Sequence, residues 1–136
     1  SQEKIDAKRY DFFSAPECIP QDEDPRKVLE GYYNSAMRKA IEAVRDKKAD
    51  VVVSSGGTGP LVALSRHILG TVENMRPALC ARIPAGPEKY SLMLDLGANA
   101  QSKSKDLLSF ALLGNAAYKV MYSEEHPRVC VLNVGS

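Results

Sequence analysis

A three-layer α/β/α domain, built around a mainly parallel sheet with one antiparallel hairpin attached, is the fold class that these 136 residues predict. Three observations carry the prediction. The run Asp50-Val51-Val52-Val53-Ser54 is β-branched, too short for a helix, and continuously apolar in the manner of a central parallel strand. It leads through Ser55-Gly56-Gly57-Thr58-Gly59 directly into a helical periodicity, and strand patterns alternate with helical ones along the rest of the chain. Residues 77–84 and 90–96 also read as strands, and the turn-rich Ala85-Gly86-Pro87-Glu88 between them is too short for a crossover, so they are antiparallel neighbours.

The elements follow in order. Tyr10-Asp11-Phe12-Phe13 is an aromatic run compatible with a strand. Asp24-Pro25 is a helix start, because Asp caps and proline's fixed φ suits a first helical position; Val28, Leu29, Tyr32 and Tyr33 supply the apolar repeat. Asn34-Ser35 then opens a second helix with Met37, Ala40, Ile41 and Val44 at spacings of three and four, ending near Lys47. After the glycine turn, Leu61, Val62, Leu64, Ile68 and Leu69 predict a helix closed by Gly70. A helix over residues 104–122 and a buried strand over 128–134 complete the chain. The residues Asn133-Val134-Gly135-Ser136 stop where a strand should pass into a loop, so the expectation is one α/β domain over 1–136 that forms a fragment of a longer chain.

Composition narrows the function classes without choosing among them. A formal net charge of +1, with Lys and Arg interspersed among Asp and Glu, lacks the basic face that nucleic acid demands. No apolar stretch approaches 18 residues, and Ser1-Gln2-Glu3-Lys4 is unlike a signal peptide, so the chain is expected neither to span a membrane nor to be secreted. Cys18, Cys80 and Cys130 are odd in number and widely spaced, which suits neither a disulfide framework nor a zinc site and points to a reducing, cytoplasmic setting. Cys80 and Cys130 lie in apolar runs and are expected to be small core hydrophobes.

Ligands of open parallel sheets bind beyond the carboxyl ends of the strands, where residues 54–59, 95–101 and 133–136 fall. The first stretch predicts a phosphate site. Gly56, Gly57 and Gly59 let backbone approach an anion, the following helix offers unpaired N–H groups with partial positive charge, and Ser54, Ser55 and Thr58 add hydroxyls. A structural turn and cap would use the same residue types. The spacing lacks both G-x-G-x-x-G and a G-K-[ST] ending, so nucleotide cofactors are not favoured, and no metal site is expected. In the second stretch, Asp95 and Asn99 flank a small-residue turn at Gly97: Asn99 can bond a substrate oxygen or close its own Asx turn, and Asp95 can cap backbone. Lys103 and Lys105 follow and can face an anionic substrate, an acidic carrier or solvent. His67 and His126 lie away from these strand ends.

Taken together, the stretches resemble the phosphate acyltransferase family of phospholipid synthesis, the PlsX type. Ser54-Ser55-Gly56-Gly57-Thr58-Gly59 matches the family pattern S-A-G-N-T-G, and Arg76-Pro77-Ala78-Leu79 matches the end of E-R-P-A-L. Asp95-Leu96-Gly97-Ala98-Asn99-Ala100-Gln101 matches D-[VL]-G-A-N-V-D, and Pro127-Arg128-Val129 with Leu132-Asn133-Val134-Gly135 matches N-P-R-V-x-L-L-N-[IV]-G. Ser35, Met37 and Arg38 also fit. The resemblance implies a cofactor-free homodimer that converts acyl-[acyl carrier protein] and inorganic phosphate to acyl phosphate, with a fold like those of isocitrate dehydrogenase and phosphotransacetylase. For that reaction the expected roles are oxyanion stabilisation by Asn99 and Asn133, phosphate binding by Ser54, Gly56, Gly57, Thr58 and Gly59, and a substrate site that includes Asp95, Gly97, Lys103 and Gly135. Any peripheral membrane association would run through parts not in this chain. Gly57 stands where the family has Asn, and Gln101 where it has Asp. Two alternatives stand beside this reading: an enzyme of the phosphate acetyltransferase kind using acyl-coenzyme A, which shares the need for a phosphate pocket, and a non-catalytic phosphate- or partner-binding homologue, which those departures suggest.

Overall fold

The computed structural model describes residues 10–132 and divides into two compact units that meet in sequence at Gly70 and Thr71. Its architecture is mixed α/β, with four helices of six residues or more and one two-stranded antiparallel sheet among the described residues.

In the first unit, α1 (Pro25–Glu30), α2 (Ala36–Arg45) and α3 (Thr58–Leu69) enclose a small core of Ile19, Val28, Met37, Ile41 and Leu64. The predicted starts are where the caps are. The Asp24 carboxylate accepts the Arg26 N–H at 2.7 Å with Pro25 in the first helical position, and the Ser35 hydroxyl accepts the Arg38 N–H at 3.4 Å. The break between α1 and α2 is held by Arg38, which is only 4% exposed. Its Nη2 donates to the carbonyls of Val28 (3.0 Å), Leu29 (3.0 Å) and Gly31 (3.1 Å), the groups that the end of α1 leaves unpaired. The sequence match at Arg38 thus has a structural cause.

The expected central strand is not paired among the described residues. Residues 51–55 form no strand and alternate in exposure, with Val52 packed against the core while Val51 and Val53 are 73% and 92% exposed. That alternation is what one covered face gives, whereas the continuous valine run predicts cover on both. Tyr10-Asp11-Phe12-Phe13 likewise forms no strand, and Phe12 and Phe13 are exposed.

In the second unit, β1 (Cys80–Gly86) and β2 (Lys89–Leu94) form the predicted hairpin, with Cys80 opposite Leu94 and Pro84 opposite Tyr90 and a register irregularity between Pro84 and Gly86. The helix α4 (Ser104–Tyr122) lies on β2 at the predicted residues. Gly114 permits the close approach, since a Cβ there would stand 2.8 Å from Leu94 Cδ1. Tyr118 fastens the far end by donating its hydroxyl to the Tyr90 carbonyl at 3.0 Å. The predicted buried strand at 128–134 is corrected as far as it is described: Val129, Val131 and Leu132 are exposed and unpaired. All three cysteines are exposed, so Cys80 and Cys130 are not the core residues that their apolar neighbours predict. Around Cys80, in β1, neighbours alternate in burial, so an apolar run does not bury every member; around Cys130 the residues from 128 to 132 are all exposed.

Candidate functional site

The glycine turn is built from three pieces of the first unit. The segment at 51–55 delivers Ser54 and Ser55, α3 begins at Thr58, and the stretch from Glu17 to Asp24 lies against the turn. This packing needs Gly57, where an added Cβ meets backbone, whereas at Gly56 the neighbour is the end of a flexible side chain. A Cβ on Gly56 would meet the Met37 methyl of α2, and a Cβ on Gly57 would overlap the backbone carbonyl of Gln21 and stand 2.9 Å from both its C and Cα. At both positions the neighbour that an added Cβ would meet is the protein itself. Gly57 has φ −58° and ψ 137°, open to any residue, so sterics alone select glycine. The same overlap explains why no asparagine side chain occupies position 57: Gln21 is already there.

What remains open is the start of α3. Gly57 is its N-cap and makes no side-chain bond to the first turn. Leu61 donates back to the Gly57 carbonyl at 3.1 Å, and Pro60 has no N–H. The N–H groups of Thr58 and Gly59 accordingly have no acceptor among the described residues, both residues are exposed, and a Cβ on Gly59 would meet nothing within 4 Å. Gly56 donates to Ser54 Oγ at 3.2 Å, which orients that hydroxyl. A shallow depression of about 250 Å³ lies beside the turn, lined by Ala36, Met37, Ala40, Val53, Ser54 and Ser55. The arrangement offers two backbone donors and nearby hydroxyls at the positive end of a 12-residue helix, which is suited to an oxyanion.

The second candidate stretch closes on itself. Asp95, at φ 61°, donates its N–H to the Leu79 carbonyl at 2.7 Å. Its carboxylate accepts Asn99 Nδ2 at 3.0 Å and the Ser102 hydroxyl at 3.2 Å, and Asn99 Nδ2 also donates to the Pro77 carbonyl at 2.8 Å. Both N–H donors of Asn99 are thus occupied, and oxyanion donation would have to displace one of them. Gly97 sits at the exposed tip of this turn. Lys103 precedes α4 with its N–H held by the Asp106 carboxylate at 2.8 Å. That bond and the Arg76 guanidinium, 3.3 Å away, hold the Asp106 carboxyl below its ordinary pKa against the opposing effect of burial. Arg76 also donates to the Gln101 carbonyl at 2.9 Å, so this loop is tied at both ends by residues of the sequence motifs. Asn133 and Gly135 lie outside the described residues. The 54–59 and 95–103 stretches belong to different units.

Sequence reasoning missed two participants. Gln21 lies in a stretch without a recognisable pattern, and only its packing on Gly57 reveals it. The other is the Glu23 carboxylate, which accepts the Tyr32 hydroxyl; that bond chiefly lowers the Glu23 pKa and raises that of Tyr32. Among the described residues, no helix is long and apolar enough to cross a membrane, and no group of three His, Cys, Asp or Glu is placed to hold a metal.

Comparison with known proteins places these geometries in context. The family model described as "Fatty acid synthesis protein" matches residues 2–136. A phosphate acyltransferase of Pseudomonas fluorescens is 41% identical over 136 residues, covering 99% of this chain and 40% of that protein. One of Pseudomonas putida is 42% identical over 132 residues (96% and 39%), and one of Ehrlichia chaffeensis 41% over 125 residues (91% and 37%). The chain therefore spans about two fifths of the length of these relatives.

Proposed function

Because the chain belongs to the Fatty acid synthesis protein family, we propose that it is the phosphate-gripping part of an acyltransferase that moves a fatty acyl group from acyl-[acyl carrier protein] to inorganic phosphate. The product, acyl phosphate, would feed phospholipid synthesis. The observation that carries this reading is the open start of α3: Thr58 and Gly59 are exposed, and their N–H groups have neither a protein acceptor nor a capping side chain among the described residues. In this reading phosphate rests on those two amides, with Ser54 and Thr58 supplying hydroxyls and Gly56 and Gly57 keeping the turn tight enough to present them.

Phosphate held there attacks the thioester carbonyl. A carbon–oxygen bond forms, the carbon–sulfur bond breaks, and the carrier leaves as a thiolate that takes up a proton. No cofactor or metal enters this sequence, and the acceleration comes from holding two reactants in line and from donors aimed at the developing oxyanion. Asn99 and Asn133 are the proposed donors, with Asn99 exchanging its bond to Asp95 for one to the oxyanion as substrate enters. Asp95, Gly97, Lys103 and Gly135 complete the proposed substrate site. We also propose that the longer protein is a cytoplasmic homodimer, peripheral at the membrane through other parts. In it the exposed segments would find partners in the parallel sheet of one three-layer α/β/α domain, which accounts for Val51, Val53 and Val131 lying bare in this chain.

The test uses the full-length protein with Thr58→Val and Gly59→Val. Side chains of a helix lean toward its N-terminus, so valine at 59 crowds the space in front of the two amides. Loss of acyl phosphate formation by more than about tenfold, with a raised KM for phosphate, is expected from the loss of even one charge-assisted bond. Full activity in both variants refutes the reading. Gly56 is a poor choice for this test, since any bulk there strikes Met37.

A further inference from the structure

The stretch from Glu17 to Asp24 is pinned at both ends, and between the pins it rests on the glycine turn. At one end the Glu17 carboxylate accepts the Asn34 N–H at 2.6 Å, and Glu17 pairs with Ser35 in an isolated parallel bridge. At the other, the Glu23 carboxylate accepts the Tyr32 hydroxyl and lies 3.7 Å from Lys27 Nζ. Ile19 anchors the middle in the core. Gln21 follows it, with its backbone against Gly57 and its side chain exposed, entering no hydrogen bond among the described residues.

We propose that Gln21 is a phosphate-binding residue, its carboxamide donating an N–H to the anion seated on the Thr58 and Gly59 amides. The proposal rests on the reading above, that this turn holds phosphate. Its own ground is reach. With 2.9 Å from Gln21 Cα to the Cβ that Gly57 lacks, the two Cα atoms are at most about 4.4 Å apart. A glutamine carboxamide extends about 4–5 Å from its Cα, and Thr58 is one residue of about 3.8 Å further along the chain. Gln21 therefore springs from the place that a side chain at position 57 would fill, and its carboxamide is long enough to reach the space in front of α3. The need for such a donor is also visible. Between Lys48 and Arg66 the chain has no cation, so within this loop the anion is held by neutral groups and each one carries a large share of the binding. A pinned segment supplies that donor with little backbone ordering left to oppose it.

The experiment compares Gln21→Ala, Gln21→Glu and Gly59→Val in the full-length protein, measuring the binding of inorganic phosphate by calorimetry and the KM for phosphate and for the thioester. Gln21→Ala is expected to weaken phosphate five- to tenfold and leave the thioester KM unchanged. Gln21→Glu should weaken it further, because a carboxylate repels the anion, while the melting temperature of both stays near that of the parent. Loss of phosphate affinity in Gly59→Val with unchanged affinity in both Gln21 variants overturns the role of Gln21 and leaves the phosphate site standing. Unchanged affinity in all three overturns both.

Discussion

Replacing Gly57 by alanine tests the packing on which the turn depends. The new methyl would overlap the Gln21 carbonyl oxygen and stand 2.9 Å from two further backbone atoms, against the roughly 3.5–4.0 Å of an unstrained contact. None of these is the end of a flexible side chain, so relief requires moving the Gln21 backbone by more than about half an ångström, against the anchor at Ile19 and the latches at Glu17 and Glu23. Overpacking of this kind costs about 1–3 kcal/mol. Alanine's smaller unfolded-state entropy offsets about 0.4–1 kcal/mol, since φ −58° suits it. The net expectation is a destabilisation of about 1–2 kcal/mol. Gly59→Ala is the control: its methyl meets nothing within 4 Å, and it should be more stable than the parent by about 0.4–1 kcal/mol. Equilibrium urea denaturation of the full-length protein reads both, as shifts in midpoint at constant slope. If Gly57→Ala is as stable as Gly59→Ala, Gln21 does not press on the turn and the account of the missing side chain at position 57 fails.

Other outcomes follow from the same packing. Arg38→Met should lower stability by about 2–3 kcal/mol, because carbonyls of Val28, Leu29 and Gly31 lose a charged donor while the aliphatic volume is kept; a melting temperature like the parent's would contradict the capping role. Leu64→Ala, at a fully buried site, should cost about 2–5 kcal/mol in the same denaturation assay, and a cost under about 1 kcal/mol would show that Leu64 is not at the centre of its core. The Asp106 pKa is lowered by folding, so its stabilisation of α4 is complete above the ordinary carboxylate range and is lost as pH falls through the depressed value. Asp106→Asn should flatten that acid-side dependence of the melting temperature, and an unchanged pH profile would remove Asp106 from the account. The isolated 136-residue chain is expected to form no acyl phosphate, and turnover by it would overturn the view that the remainder of the protein completes the site.

Local chemistry was legible without coordinates. Asp24-Pro25, Asn34-Ser35, Gly70 and the turn at 85–88 marked α1, α2, α3 and the hairpin, because caps, proline φ and turn residues act within a few positions of themselves. The glycine turn was legible as a place where backbone is exposed, and the resemblance to phosphate acyltransferases agreed with the family that the chain matches.

Sequence by itself determined the family, the helices, the hairpin and the location of the open helix start, since each depends on residues close together in the chain. Only the tertiary structure decided that Gly56 and Gly57 yield space to Met37 and Gln21, that Arg38 serves the end of α1, and that Asn99 spends its donors on Pro77 and Asp95. It also decided that Val51 and Val53 stand exposed while Val52 packs on the core. Such facts turn on which atoms share a few ångströms after folding, and pairs such as Gln21 with Gly57 or Pro77 with Asn99 carry no local mark of that meeting.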